Sequence, residues 1–143
     1  YDFSVFMQGV VRTSFFINPN DISPFIDERN ALNVIADNHW SINNPDPNAF
    51  WPRLSTYSIA NNEQQSTWWQ RDGDFLRLKN VEIGYTFPDK ETGLFSGLNT
   101  RVYFTGLNLL TFSKFDLWDT EMGGNGLGYP PQKVYNIGLQ VNF

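Results

Sequence analysis

The sequence predicts an all-β chain of antiparallel strands from a transmembrane β-barrel, with long loops at one end of the strands and a short turn at the other. Three observations carry that prediction. The last nine residues alternate without exception, with Tyr135, Ile137, Leu139, Val141 and Phe143 on one side and Asn136, Gly138, Gln140 and Asn142 on the other. That length matches the roughly 9–11 residues of a tilted membrane strand, although a strand of a soluble sandwich would alternate in the same way. Second, the chain stops on an aromatic residue of the apolar side. Third, the connections between alternating stretches run long, short, long, the asymmetry of membrane barrels.

Residues 1–13 read as the first strand. Phe3, Val5, Met7, Gly9 and Val11 share one side and Asp2, Ser4, Gln8 and Arg12 the other, interrupted by Phe6 and Val10. From 14 to 71 the alternation gives way to Asn, Pro, Ser and Asp interspersed with Trp, which marks a long loop. Within it Ser23-Pro24 resembles a helix N-cap followed by proline at the first helical position. Phe25, Leu32, Ile35 and Ala36 then recur at helical spacing, so a helix is expected over 24–37.

The second strand is expected over 72–87. Val81, Ile83, Tyr85 and Phe87 alternate with Asn80, Glu82, Gly84 and Thr86, but upstream Leu76 and Leu78 take the opposite parity to Arg77 and Lys79. Either a bulge sits near Lys79-Asn80, or the upper strand rises above the membrane. The segment 88–99 is a short turn, and 100–112 is a third strand whose pattern Leu107 and Leu109 spoil. A second loop at 113–128 precedes the last strand, 129–143. Barrel topology would place 14–71 and 113–128 outside the cell and 88–99 in the periplasm.

Composition removes several classes. Fifteen acidic residues against ten scattered basic ones give a net charge of −5, which argues against nucleic-acid binding. There is no cysteine for a disulfide or thiolate site, and the lone His39 beside Asp37 has no nucleophile pattern around it. No catalytic site is expected. Aromatic residues reach 17 %, and no run approaches the roughly 20 apolar residues of a membrane helix. Opening on Tyr1-Asp2-Phe3, already in alternation, the chain reads as a piece of a longer one.

From residue 68 onward the pattern resembles a known family. Phe75-Leu76-Arg77-Leu78-Lys79-Asn80 followed by Ile83-Gly84-Tyr85-Thr86-Phe87-Pro88 is similar to the "YLRLKN…LGYTFP" segment of SusC/RagA-type TonB-linked outer-membrane proteins. Arg101-Val102-Tyr103, Asn108-Leu109-Leu110-Thr111, Asp119-Thr120-Glu121, Tyr129-Pro130 and the terminal 138–143 follow in that family's order. Trp40…Asn44-Pro45 and Trp51-Pro52-Arg53-Leu54 resemble its "W…NP…PRL" loop. Thr120 departs from the family's "DPE" proline and puts the local turn in doubt.

The resemblance implies the C-terminal part of a 22-stranded, plugged barrel in the outer membrane of a Gram-negative bacterium. Such a barrel imports oligosaccharides or peptides with a SusD-like surface lipoprotein, driven by the TonB complex through parts absent here. The competing reading is an autonomous soluble β-rich carbohydrate-binding module. That module would hide its apolar faces in a sandwich core.

Candidate residues follow from pattern and resemblance together. Tyr135, Ile137, Leu139, Val141 and Phe143 resemble the terminal signal read by the barrel-assembly machinery, through a strand edge that a partner sheet pairs with. Trp40, Trp51 and Trp118 lie in the loops, where they would stack on substrate, meet the lipoprotein or simply pack. Trp68 and Trp69 suit an interfacial girdle. Asp116, Asp119 and Glu121 offer three carboxylates to a Ca²⁺ ion, without EF-hand spacing and with plain solvation as the other reading. No other cofactor is implied. Arg77 and Glu82 would point into a wet lumen, and Gly123 to Gly128 reads as a flexible glycine-rich loop.

Overall fold

The computed structural model describes residues 1–26, 28–88, 97 and 99–142. Its chain divides into two units: a sheet unit of Tyr1–Thr13, Gly73–Thr120 and Pro130–Phe143, and a loop unit of Ser14–Asp72 and Glu121–Tyr129. The strands in chain order are β1 (Asp2–Val10), β2 (Ser14–Phe16), β3 (Gln70–Asp72), β4 (Phe75–Thr86), β5 (Asn99–Ser113) and β6 (Val134–Asn142).

Four of these form one antiparallel sheet in the order β1-β4-β5-β6. Each of the four starts or ends within two residues of its expected bound, and Pro130-Pro131 explain the largest departure, at the start of β6. Without N–H groups they cannot join a ladder, so β6 begins at Val134 rather than near 129. Asn99 pairs with Asn142, whereas Phe75 pairs with both Val10 and Ser113. The 88–99 connection, most of which lies outside the described residues, therefore joins strands at the Asn142 end. Both long connections leave from the other end.

The parity flip in β4 is a bulge. Phe6 pairs with Asn80 and Met7 with Leu78, so Lys79 is the extra residue of β4 in that register. On the other side Leu78 pairs with Leu110 and Asn80 with Leu107, which leaves two residues of β5 against one of β4. Asn108 takes up the extra length with a positive φ of 52°. Its side-chain amide donates to the Gln132 carbonyl at 2.9 Å, tying the approach to β6 onto β5. This second bulge is why Leu107 and Leu109 break the alternation expected for the third strand.

With the bulges in place, apolar residues of all four strands gather on one face of the sheet. Phe3, Val5 and Met7 of β1, Leu76 and Ile83 of β4, Val102, Leu110 and Phe112 of β5, and Tyr135, Ile137, Leu139 and Val141 of β6 are all exposed. Near the Asn142 end, Tyr85 contacts Tyr1 at 4.6 Å and Phe87 at 4.9 Å between ring centroids.

The loop unit builds a small core of its own. Ile17, Ile35, Ala49, Trp51 and Trp69 are buried. Irregular backbone leaves carbonyls without ladder partners, and the indoles supply donors to them: Trp51 to Ile22 at 3.3 Å, Trp68 to Phe50 at 3.2 Å and Trp69 to Asn62 at 2.9 Å. Of the helix expected over 24–37 only the last five residues are helical; the short helices are α1 (Pro19–Ile22), α2 (Asn33–Asp37) and α3 (Ala60–Glu63). Asn18-Pro19, not Ser23-Pro24, is the cap and first-turn proline, with the Asn18 side chain accepting from the Asn20 N–H. Ser23 ends that turn by donating its N–H and hydroxyl to the Pro19 carbonyl. Phe25 and Glu28 follow with φ of 65° and 62°, which a right-handed helix excludes.

The longer segment of the loop unit, Ser14–Asp72, begins and ends at adjacent residues. The Gly73 N–H donates to the Thr13 carbonyl at 3.0 Å, and the Thr13 N–H donates to the Asp74 carboxylate at 2.9 Å. From there β2 and β3 pair antiparallel, Ser14 opposite Asp72 and Phe16 opposite Gln70.

Candidate functional site

The two sides of the sheet differ in chemistry, although Phe6 and Val10 of β1 and Leu107 of β5 lie on the more polar side. On β6 the apolar residues Tyr135, Ile137, Leu139 and Val141 are 40–82 % exposed. A sandwich core would bury these side chains. Phe143 lies outside the described residues.

The opposite side carries charge. Arg101 donates to both Asp2 and Glu82, with Nη2 to Glu82 Oε1 at 2.6 Å and Nε to Asp2 Oδ1 at 3.3 Å. The three residues come from the successive strands β5, β4 and β1, so a single guanidinium meets the acid of the adjacent strand and that of the strand beyond it. Gly84 makes the arrangement possible. A Cβ there would lie 2.5 Å from both the Arg101 Nη2 and the Asp2 carboxylate.

Arg77, expected in a wet lumen, is instead only 1 % exposed and ion-paired. Its Nη2 donates to both oxygens of Asp119 at 2.6 Å, and its guanidinium lies 5.5 Å from the Phe75 ring centroid. The bulge at Lys79 determines which side Arg77 takes. Asp119 reaches it from the irregular segment after β5, where Phe115 is buried edge-on against Trp118 at 4.8 Å. The partner of Arg77 lies 42 positions away, so spacing along the strand gave no signal of it.

Of the three carboxylates considered for Ca²⁺, Asp119 binds Arg77. Among the described residues no group of three His, Cys, Asp or Glu is placed to hold a metal ion.

The tryptophans divide by environment. Trp51 and Trp69 are core residues of the loop unit, so neither is a surface for substrate nor part of an interfacial girdle. Trp40 and Trp118 are half-buried in different units. His39 is satisfied locally, its Nδ1 2.8 Å from the Ala36 carbonyl. The glycine-rich stretch is packed: the Gly124 carbonyl accepts from the Asn18 N–H, and a Cβ at Gly124 would overlap the Phe16 carbonyl. Arg71 lies 4.3 Å over the Phe50 ring and donates to the Trp68 and Gln70 carbonyls, while burial pulls its guanidinium below its ordinary value.

No family model matches the chain. It is 30 % identical over 164 residues to the TonB-dependent receptor P26 of Formosa agariphila, in a match covering 99 % of this chain. It is also 30 % identical over 84 residues to the TonB-dependent receptor SusC of Bacteroides thetaiotaomicron, covering 57 % of this chain. The chain spans 15 % of the length of the first relative and 8 % of the second. Among solved structures it is similar to the RagAB peptide transporter, with a TM-score of 0.69 at 25 % identity over 99 % of this chain and 16 % of that one. An up-and-down sheet with one exposed apolar face and one ion-paired face, joined to these likenesses, defines a segment of a TonB-dependent receptor. The chain belongs to the SusC/RagA type of these receptors.

Proposed function

We propose that this chain forms part of the wall and outer loops of a TonB-dependent importer in the outer membrane of a Gram-negative bacterium. The observation that carries the reading is a face with exposed apolar residues on all four strands, backed by an ion-paired polar face. Lipid is the environment that suits such a face, since it rewards alternate apolar residues and leaves the lumen side polar. β1 and β6 are the edge strands of a four-stranded sheet, too few to close a membrane barrel, and further strands of the receptor complete the wall, 22 in all.

In this reading the loop unit and the segment after β5 lie outside the cell, and the 88–99 turn and Phe143 at the periplasmic rim. Residues 135–143 serve as the terminal assembly signal. The cargo is an oligosaccharide or peptide, taken up with a SusD-like surface lipoprotein and TonB. The description of RagAB as a peptide transporter and the name SusC support import as the task.

The test is fractionation of the native source with an antibody against the loop unit, alongside uptake assays. The expected antigen is a species several-fold larger than 16.5 kDa, found in the detergent-extracted outer membrane, whose loss abolishes TonB-dependent uptake of a cargo. A detergent-free species of 16.5 kDa would restore the soluble-module reading.

A further inference from the structure

We infer that the loop unit carries a binding site for an acidic sugar residue, with Arg53 as its anion ligand and the rings of Phe25 and Tyr57 as its apolar walls. The inference rests on the importer reading and names a class of cargo for it.

An open hollow of about 340 Å³ in the loop unit is lined by Phe25, Arg53, Leu54, Ser55, Thr56 and Tyr57, among others. That is the lower end of the roughly 300–1,000 Å³ of small-molecule sites, room for a sugar residue or two but not for a folded partner. Arg53 is exposed, and among the described residues its guanidinium makes no hydrogen bond or ion pair. Its backbone is nevertheless held, because its carbonyl accepts from the Asn62 side chain at 3.3 Å. An anchored arginine with a free planar fork is suited to a carboxylate. The nearest recess also contains Glu63, but that carboxylate accepts from the Ser58 hydroxyl at 2.7 Å.

Both rings are open to solvent, Tyr57 at 71 % and Phe25 at 41 % exposure, whereas the loop-unit tryptophans are buried or half-buried. Phe25 is held in the left-handed region at φ 65°, its N–H donating to the Arg29 carbonyl at 3.1 Å. That is a costly conformation for an aromatic residue, and it keeps the ring at the hollow. Tyr57 is fixed by its N–H donating to Ser55 Oγ at 3.2 Å.

The rings decide between acidic ligands. An acidic peptide offers a carboxylate to the guanidinium and amides to the hydroxyls, but its acidic side chain has no apolar ring face to stack on Tyr57 or Phe25. A hexuronate has a carboxylate for Arg53, an apolar ring face for Tyr57 or Phe25, and ring hydroxyls for Ser55, Thr56 and the Tyr57 phenol.

The experiment is calorimetric titration of the purified full-length receptor in detergent with tetramers of galacturonate and of glucuronate, with tetraglutamate as the peptide probe. The wild type should bind at least one uronate tetramer. Arg53→Gln should weaken that binding by about tenfold or more, as loss of a charge-assisted pair implies. Tyr57→Ala should weaken it several-fold, while unchanged heat-modifiable mobility on gels reports an intact barrel for each variant. Failure of the wild type to bind either tetramer, or an unchanged affinity in Arg53→Gln, would overturn the site. So would tetraglutamate binding as well as the uronates with the same losses, because the hollow would then read charge alone. The importer reading stands or falls separately, on the location and TonB-dependent uptake of the wild type.

Discussion

Arg77 and Asp119 are the residues whose loss the sheet unit should feel most. Taking two charges out of water is costly, and the pair recovers that cost only while both members are present. Asp119→Leu strands a guanidinium that is 1 % exposed and is expected to cost about 3–5 kcal/mol. Arg77→Met should cost less, because the Asp119 side chain is 16 % exposed and retains some access to water. Urea titration of the full-length receptor in detergent, following the loss of heat-modifiable mobility, checks both the size and the order. Nothing in the sequence announced this pair, since residue type was legible but a contact across 42 positions was not. The environment of Trp51 was open for a related reason. An aromatic residue amid prolines suits a contact surface or a packed core alike, and in irregular chain its indole is also the donor that a stray carbonyl requires.

Among the elements, β6 offers the cleanest test of which side meets lipid. Ile137 lies mid-strand, opposite Phe104. Ile137→Lys is expected to cost about 2–4 kcal/mol if it sits near the bilayer midplane. Asn136→Lys on the other face should leave assembly near wild type, and the fraction of assembled receptor in outer-membrane preparations compares them. The bulge at Lys79 makes a sharper prediction, because side chains alternate with a period of two. Deleting Lys79 would send Arg77 to the apolar face and Leu76 and Leu78 to the polar one, and no assembled receptor should be recovered. Lys79→Thr keeps the residue count and should assemble. Strands were legible because a half-buried sheet writes its period into the sequence, and even the bulge left its mark as a parity flip. The loop helices were not. Ser23-Pro24 and Asn18-Pro19 satisfy the same capping rule, and only the backbone after each, left-handed at Phe25, separates them.

At the scale of the whole molecule, the chain divides into a sheet with a strict periodicity and a loop unit whose order comes from indoles and single turns. That division explains the uneven legibility of function. The sheet's faces carry the membrane reading, but the hollow beside Arg53 is assembled from residues 25 and 53–59 across an irregular chain that no spacing rule connects. Replacing residues 14–72 with a tight two-residue turn between Thr13 and Gly73 should leave the receptor assembled in the outer membrane, because those positions already sit within hydrogen-bond reach. Uptake should be lost, and fractionation together with a transport assay reads both outcomes.

The same doorway bears on how such receptors diversify. An insert that enters and leaves through adjacent residues behaves as a cassette: it can be lengthened, recombined or exchanged whole without altering one rung of the ladder between β1 and β4. Change in what is captured outside is thereby uncoupled from the geometry that the lipid enforces, and a lineage meeting a new polymer can revise its loops while inheriting its wall intact.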